Sequence, residues 1–149
     1  MTQLRLEIDP LRLDEEWLGQ PKQRQIFGEL LADAQLKQDT AKSTLEVVKA
    51  ETDREIREDP EAHGIGKLTE ASVATAITVD PAVKVAVKKW NKARHEVNVL
   101  QAAVDGLEHR KRALTQLVEL HGQDYYSTPK MPAGVKNKRR REDENGDSD

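Results

Sequence analysis

The chain has no cysteine, so disulfide bridges, thiolate metal sites and cysteine nucleophiles are all excluded. Aromatic residues make up 3% of the 149 residues, and only 36% are hydrophobic, which argues against a thick globular core. No run of about 18 apolar residues occurs, and the N-terminus lacks the apolar core of a signal peptide. We therefore expect a soluble, cytoplasmic protein without a membrane partner. The 34% of charged residues is typical of long helices and coiled coils.

Signatures of catalysis are also missing. Gly64-Ile65-Gly66 has neither the spacing nor the preceding strand of a phosphate-binding loop. The histidines do not form the i, i+4 ligand pair of a helical metal site: His63, His95, His109 and His121. We expect no enzymatic activity, no metal ion and no cofactor.

The first long periodic segment covers residues 22–59, which contain no proline and one glycine. A 4-3-4-3 spacing defines one face of a helix about 55 Å long, through Phe27, Leu31, Ala34, Gln38, Ala41, Leu45, Val48 and Thr52. Many of these residues are small or polar, so this helix buries little area and is not expected to be stable alone. Pro10, Pro21 and short apolar groups indicate an N-terminal arm over residues 1–21.

Pro60 and two glycines end this helix, and Thr69 is the predicted N-cap of a short helix reaching about Thr78. Asp80-Pro81 is a strong start signal for a second long helix over residues 81–121, with Gly122 as its stop. One broad apolar stripe runs along this helix, through Val83, Val87, Trp90, Ala93, Val97, Leu100, Val104, Leu107, Leu114 and Val118.

These elements predict an all-α fold, a long antiparallel two-helix hairpin with a short connecting helix, spanning residues 22–126. A hairpin has a core one layer thick, so self-association is expected to cover the rest of the stripe. The predicted oligomer interface comprises Val87, Trp90, Val97, Leu100, Val104 and Leu107. Residues 127–149, a basic run followed by an acidic one, are predicted to be a disordered charged tail. The basic run is a candidate either for loose binding of nucleic acid or for a targeting signal in a eukaryotic cell. The acidic run is a candidate either for a solvating extension or for binding a basic pocket on a partner protein.

The formal net charge of −3 conceals a basic segment, because residues 84–112 hold eight Lys or Arg and three acids. Helical spacing gathers a basic row opposite the apolar stripe, formed by Lys84, Lys88, Lys92, His95, His109 and Arg110. Lys89 and Arg94 belong to the same basic segment. Such a row suits a phosphate backbone, although a solvated helix face is an equally good interpretation.

Further basic residues surround the bend, where Arg54, Arg57 and Lys67 extend a basic rim or form local ion pairs with neighbouring acids. Tyr125 and Tyr126 follow the second long helix and are candidates either for stacking on bases or for packing against the hairpin.

Over residues 20–126 the chain resembles the phage UvsY-type recombination mediators. The similarity lies in the long charged first helix, the bend at Asp59-Pro60, the short helix TEASVATAI at 69–77, the restart Val79-Asp80-Pro81 and the ending LVELHGQDYY at 117–126. The family's DNA contacts lie near the end of the first long helix, where this chain has the mixed-charge stretch VVKAETDR at 47–54. Lys49 and Arg54 are the matching basic positions.

The resemblance implies a phage- or prophage-encoded, ring-forming homo-oligomer in the bacterial cytoplasm. It implies that the protein binds single-stranded DNA and helps a RecA-like recombinase to replace single-strand-binding protein. The alternative from the residues themselves is a structural or scaffolding coiled-coil protein, such as a phage assembly factor, without a role on DNA.

Overall fold

A computed structural model describes residues 3–123 and contains three helices: α1 (Leu13–Glu58), α2 (Glu70–Val79) and α3 (Pro81–Gly122). No strand occurs within residues 3–123, and the predicted all-helical class is confirmed. Tyr125, Tyr126 and the predicted disordered tail at 127–149 lie outside the described residues.

The start of α1 differs from the prediction, because the helix begins at Leu13 instead of residue 22 and includes Pro21. Proline inside a helix removes a backbone hydrogen bond and would normally mark a boundary. Here Glu16 and Gln20 are buried, and both bond to groups on α3. These tertiary contacts keep the turns before Pro21 helical. The acidic residues of the first turn also stabilise this end of the helix, because their negative charges lie at the positive end of the helix dipole.

The other helix starts are local features and agree with the predictions. The Thr69 side chain accepts a hydrogen bond from the Ser72 amide at 3.1 Å, and the Ser72 hydroxyl accepts one from the Thr69 amide at 3.0 Å. Asp80 accepts bonds from the amides of Ala82 at 2.8 Å and Val83 at 3.1 Å. Between α1 and α2, Gly64 has a φ of 70°, a conformation that glycine adopts without strain.

Two apolar clusters join α1 to α3. Near the start of α1, Phe27 packs with Ala103, Val104 and Leu107. Further along, Leu45 packs with Val83 and Ala86, so α1 and α3 run in opposite directions. The predicted 4-3-4-3 face of α1 is buried or partly buried at every position from Phe27 to Thr52.

A third cluster closes the bend, where Ile56 of α1 packs with Ile65 and with Val73 of α2. Between Ala86 and Ala103, by contrast, no α3 side chain is fully buried. The contact between α1 and α3 is therefore thin in the middle and tighter at both ends.

The described part of the predicted arm, residues 3–12, packs against the helices. Leu4 lies on the Phe27 cluster, and Arg110 donates a hydrogen bond to the Glu7 carbonyl at 3.2 Å. Leu6 packs closely over Gly106, where a Cβ would lie 3.3 Å from both Leu6 Cδ atoms. The predicted N-terminal arm over residues 1–21 is therefore not a separate element, because residues 3–12 pack over the α1–α3 contact and residues 13–21 belong to α1.

Candidate nucleic-acid interface

Four lysines of α3 form an exposed basic surface, which we name the lysine row: Lys84, Lys88, Lys89 and Lys92. The 84, 88, 92 spacing places three of them on one helix face, and the helix is fixed at its start by the Asp80 cap. Within residues 3–123, no carboxylate lies at ion-pair distance from any of these ammonium groups. Their charge is therefore available to an outside anion.

An apolar groove adjoins the lysine row. Lys89 lies at its edge, and the walls come from Ala41, Thr44 and Val48 of α1 and Val85 and Ala86 of α3. Further along α3, the Arg94 guanidinium lies 5.8 Å from the centre of the partly buried Trp90 ring. This contact lies at the edge of a favourable cation–π geometry and holds Arg94 along its own helix.

Arg110 was predicted to belong to the exposed basic row, and this prediction is wrong, because its side chain is buried with 5% of its surface exposed. It forms an ion pair with Glu16 and donates a hydrogen bond from Nη1 to Gln20 Oε1 at 2.6 Å. Gln20 in turn donates to the Leu107 carbonyl at 2.7 Å. Arg110 is thus a structural cation between α1, α3 and the N-terminal segment, while His95 and His109 remain exposed.

Most basic residues near the bend are paired locally. Arg54 contacts Glu58 at 3.2 Å, and Lys49 contacts Glu46 at 3.4 Å. Arg57 donates hydrogen bonds to both Asp53 and Glu70, and the bonds to Glu70 and then to Asp53 raise the pKa of its guanidinium. Local ion pairing is therefore confirmed for Arg54 and Arg57.

Lys67 is exposed, and no ion pair involves it within the described residues. It is the bend cation whose charge stays available, whereas Lys49 and Arg54 would have to give up a carboxylate to bind a phosphate.

The predicted oligomer interface divides into two groups. Val104 and Leu107 are buried within one chain by Phe27, so their assignment to an interface between chains is wrong. Val87, Trp90, Val97 and Leu100 remain partly exposed. Val87 and Trp90 pack on the edge of the Leu45 cluster and Leu100 on the edge of the Phe27 cluster, so part of each side chain stays exposed.

Sequence analysis missed a second apolar surface on α1. Leu36 is 68% exposed and Val47 is 55% exposed, and their spacing of 11 residues places them on one face. The uncharged series Leu36, Thr40, Ser43, Val47 and Ala50 was the available signal. The 4-3-4-3 face of the same helix has more apolar residues and therefore gave the clearer periodic pattern.

Comparison with protein-family models, curated proteins and solved structures found no match to this chain. None of the three helices carries an apolar stretch long enough to cross a bilayer. Within residues 3–123, no three His, Asp or Glu side chains converge in an arrangement that would hold a metal ion.

Proposed function

We propose that this protein is a recombination mediator, which binds single-stranded DNA and assists the loading of a RecA-like recombinase onto DNA covered by single-strand-binding protein. The observation that carries this proposal is the lysine row, four exposed cations on α3 without acidic partners among the described residues. In a chain with a net charge of −3, such a local excess of unpaired positive charge marks the surface best suited to phosphates.

Binding through the lysine row follows from counterion release. Each phosphate neutralised on a single strand releases condensed cations, and the logarithm of the affinity falls with the logarithm of salt by about 0.7 per contact. The contacts are independent of sequence, as a mediator acting along any strand requires. No bond is made or broken, because binding free energy alone changes which protein occupies the strand.

Assembly forms the second part of the proposal. We infer a two-helix hairpin that forms a closed homo-oligomer, because Leu36, Val47, Val85 and Val99 expose more than half of their surface. An oligomer would place several lysine rows along one strand, and repeated contacts raise the effective affinity. Such an assembly would act in the cytoplasm of a phage-infected or lysogenic bacterium.

The test is a triple variant, Lys84→Ala, Lys88→Ala and Lys92→Ala, titrated against a fluorescent oligo-dT at several salt concentrations. We expect weaker binding at low salt and a log–log salt slope reduced by about 2. The variant Lys22→Ala, Lys42→Ala and Arg112→Ala removes the same charge from exposed positions without an ion pair among the described residues and is the matched control. Equal affinities and slopes for both variants would remove the lysine row from the binding surface.

A structural or scaffolding protein is the second candidate, favoured by the exposed Leu36 and Val47 face of α1. This candidate predicts that the assembly forms and remains unchanged when an oligonucleotide is added. Light scattering with and without oligo-dT at low salt separates the two functions. Absence of any DNA complex would favour the scaffold.

A further inference from the structure

A cavity of about 400 Å³ opens between the beginning of α1 and the end of α3. Trp17 and Pro21 form its apolar wall on α1, and Arg24, Glu108 and Lys111 form its charged rim. The volume lies within the usual range for small-ligand sites. The cavity shares none of the lysine-row residues, so nothing described above accounts for it.

The apolar wall offers a flat aromatic surface. Trp17 is 44% exposed, whereas the other aromatic side chains among residues 3–123 are more enclosed, since Phe27 is buried and Trp90 is partly buried. An exposed indole on a helical protein of 3% aromatic content stands out, because burial of its large apolar surface would be favourable. A flat, aromatic ligand would cover the ring without requiring a deep pocket.

The rim has an uncompensated positive charge. Arg24 Nε bonds to Glu108 Oε1 at 2.8 Å, so one cation and one anion of the rim neutralise each other. Lys111 has no ion-pair partner within the described residues, although it is close enough to Glu108 to help lower that carboxyl's pKa, after the larger effect of the Arg24 hydrogen bond. The remaining ammonium group can bind an anion at the mouth of the cavity.

We propose that this cavity binds one nucleotide of single-stranded DNA, with its base stacked on Trp17 and its phosphate held by Lys111. Stacking on an aromatic side chain tolerates every base, which fits a protein that binds strands of any sequence. This inference rests on the proposed function and assigns it a second contact point. The lysine row would hold the backbone, while Trp17 would distinguish a single strand, whose bases are accessible, from a duplex.

The test uses intrinsic fluorescence, because the chain has only two tryptophans. Trp90→Phe leaves Trp17 as the sole indole and retains an aromatic ring at the α1–α3 contact. This variant is titrated with oligo-dT and with an abasic oligonucleotide of the same length, which has the same phosphates without bases. We expect saturable quenching of Trp17 by oligo-dT and little change with the abasic strand.

Affinity provides the second measurement. Trp17→Ala should weaken oligo-dT binding about 5- to 150-fold, the range for loss of one stacked base, and leave abasic binding unchanged. Leu18→Ala, at an exposed neighbouring position, is the matched control and should bind like the unaltered chain.

The outcomes separate the two proposals. If oligo-dT binds, as measured by its own anisotropy, but Trp17 fluorescence and the Trp17→Ala affinity do not change, the nucleotide site is overturned and the DNA-binding function stands. If neither strand binds at low salt, the DNA-binding function fails, and the nucleotide site fails with it.

Discussion

Arg110 of α3 and Glu16 of α1 form a buried ion pair between residues that lie 94 positions apart in the chain. Gln20 and the Glu7 carbonyl accept further hydrogen bonds from the same guanidinium. The Arg110 guanidinium therefore holds the N-terminal segment and the first turns of α1 against α3. Its burial also means that the Arg110 guanidinium contributes to folding and not to an external surface.

Arg110→Met should strongly destabilise the protein, because it removes the buried guanidinium from the Glu16 carboxylate, which keeps only the Asp9 amide and the exposed Arg5. Removing one member of a buried ion pair costs about 3–5 kcal/mol, which chemical denaturation would measure as a lower free energy of unfolding. The exposed Arg112→Met is the control and should change stability by less than about 0.5 kcal/mol.

The double variant Glu16→Leu with Arg110→Met removes both charges, and we expect it to be more stable than Arg110→Met alone. A double variant as unstable as the single one would show that the loss comes from packing and not from the buried Glu16 carboxylate.

Glu16 should also give the protein an acid-sensitive stability. Burial by itself would raise the pKa of this carboxyl, but the bonds from the Asp9 amide and from Arg110 outweigh it, so the pKa lies below its usual value. A lowered folded-state pKa adds stability above the ordinary glutamate value of about 4.3. That contribution is lost as the pH falls through the lower value.

Urea denaturation between about pH 6 and pH 3 should therefore show a falling free energy of unfolding, with a shallower fall for Glu16→Gln. Glu15→Gln removes a charge from the exposed first turn of α1 and is the control. If the free energy of unfolding fell equally steeply with pH for Glu16→Gln and for the unaltered chain, the proposed role of this pair would be wrong.

Leu107 should behave as a core residue of the single chain and not as an interface residue. It is fully buried beside Phe27, and truncation of such a side chain to alanine costs about 2–5 kcal/mol. The loss should be the same at every protein concentration, whereas an interface residue would give a concentration-dependent loss. Val99→Ala, at an exposed position of the same helix, is the comparison, measured by thermal unfolding at two concentrations.

The Asp80 cap should decide where α3 begins. Asp80→Ala removes the acceptor for the Ala82 and Val83 amides and should cost about 0.5–2 kcal/mol. Asp80→Asn retains a side-chain oxygen and should lose much less stability. Equal losses for the two variants, by chemical denaturation, would mean that charge and not capping matters at this position.

The amino-acid sequence predicts the features that depend on neighbouring residues. Thr69 and Asp80 cap their helices as expected, because an N-cap bond reaches only two or three residues along the chain. The buried face of α1 from Phe27 to Thr52 was also predictable, since apolar periodicity follows directly from helix geometry. The same periodicity also predicts that the four lysines of α3 lie at exposed positions.

The sequence by itself thus determined two long helices, a bend and a short helix between them, through local hydrogen bonds and periodicity. Only the tertiary structure decided the extension of α1 back to Leu13, the packing of residues 3–12 and the burial of Arg110. All three depend on groups that meet across roughly ninety to a hundred residues of chain, such as Glu16 with Arg110 and Glu7 with Arg110. Helical spacing places an arginine on a face, but the charge and shape of the segments packed there determine whether that face meets water.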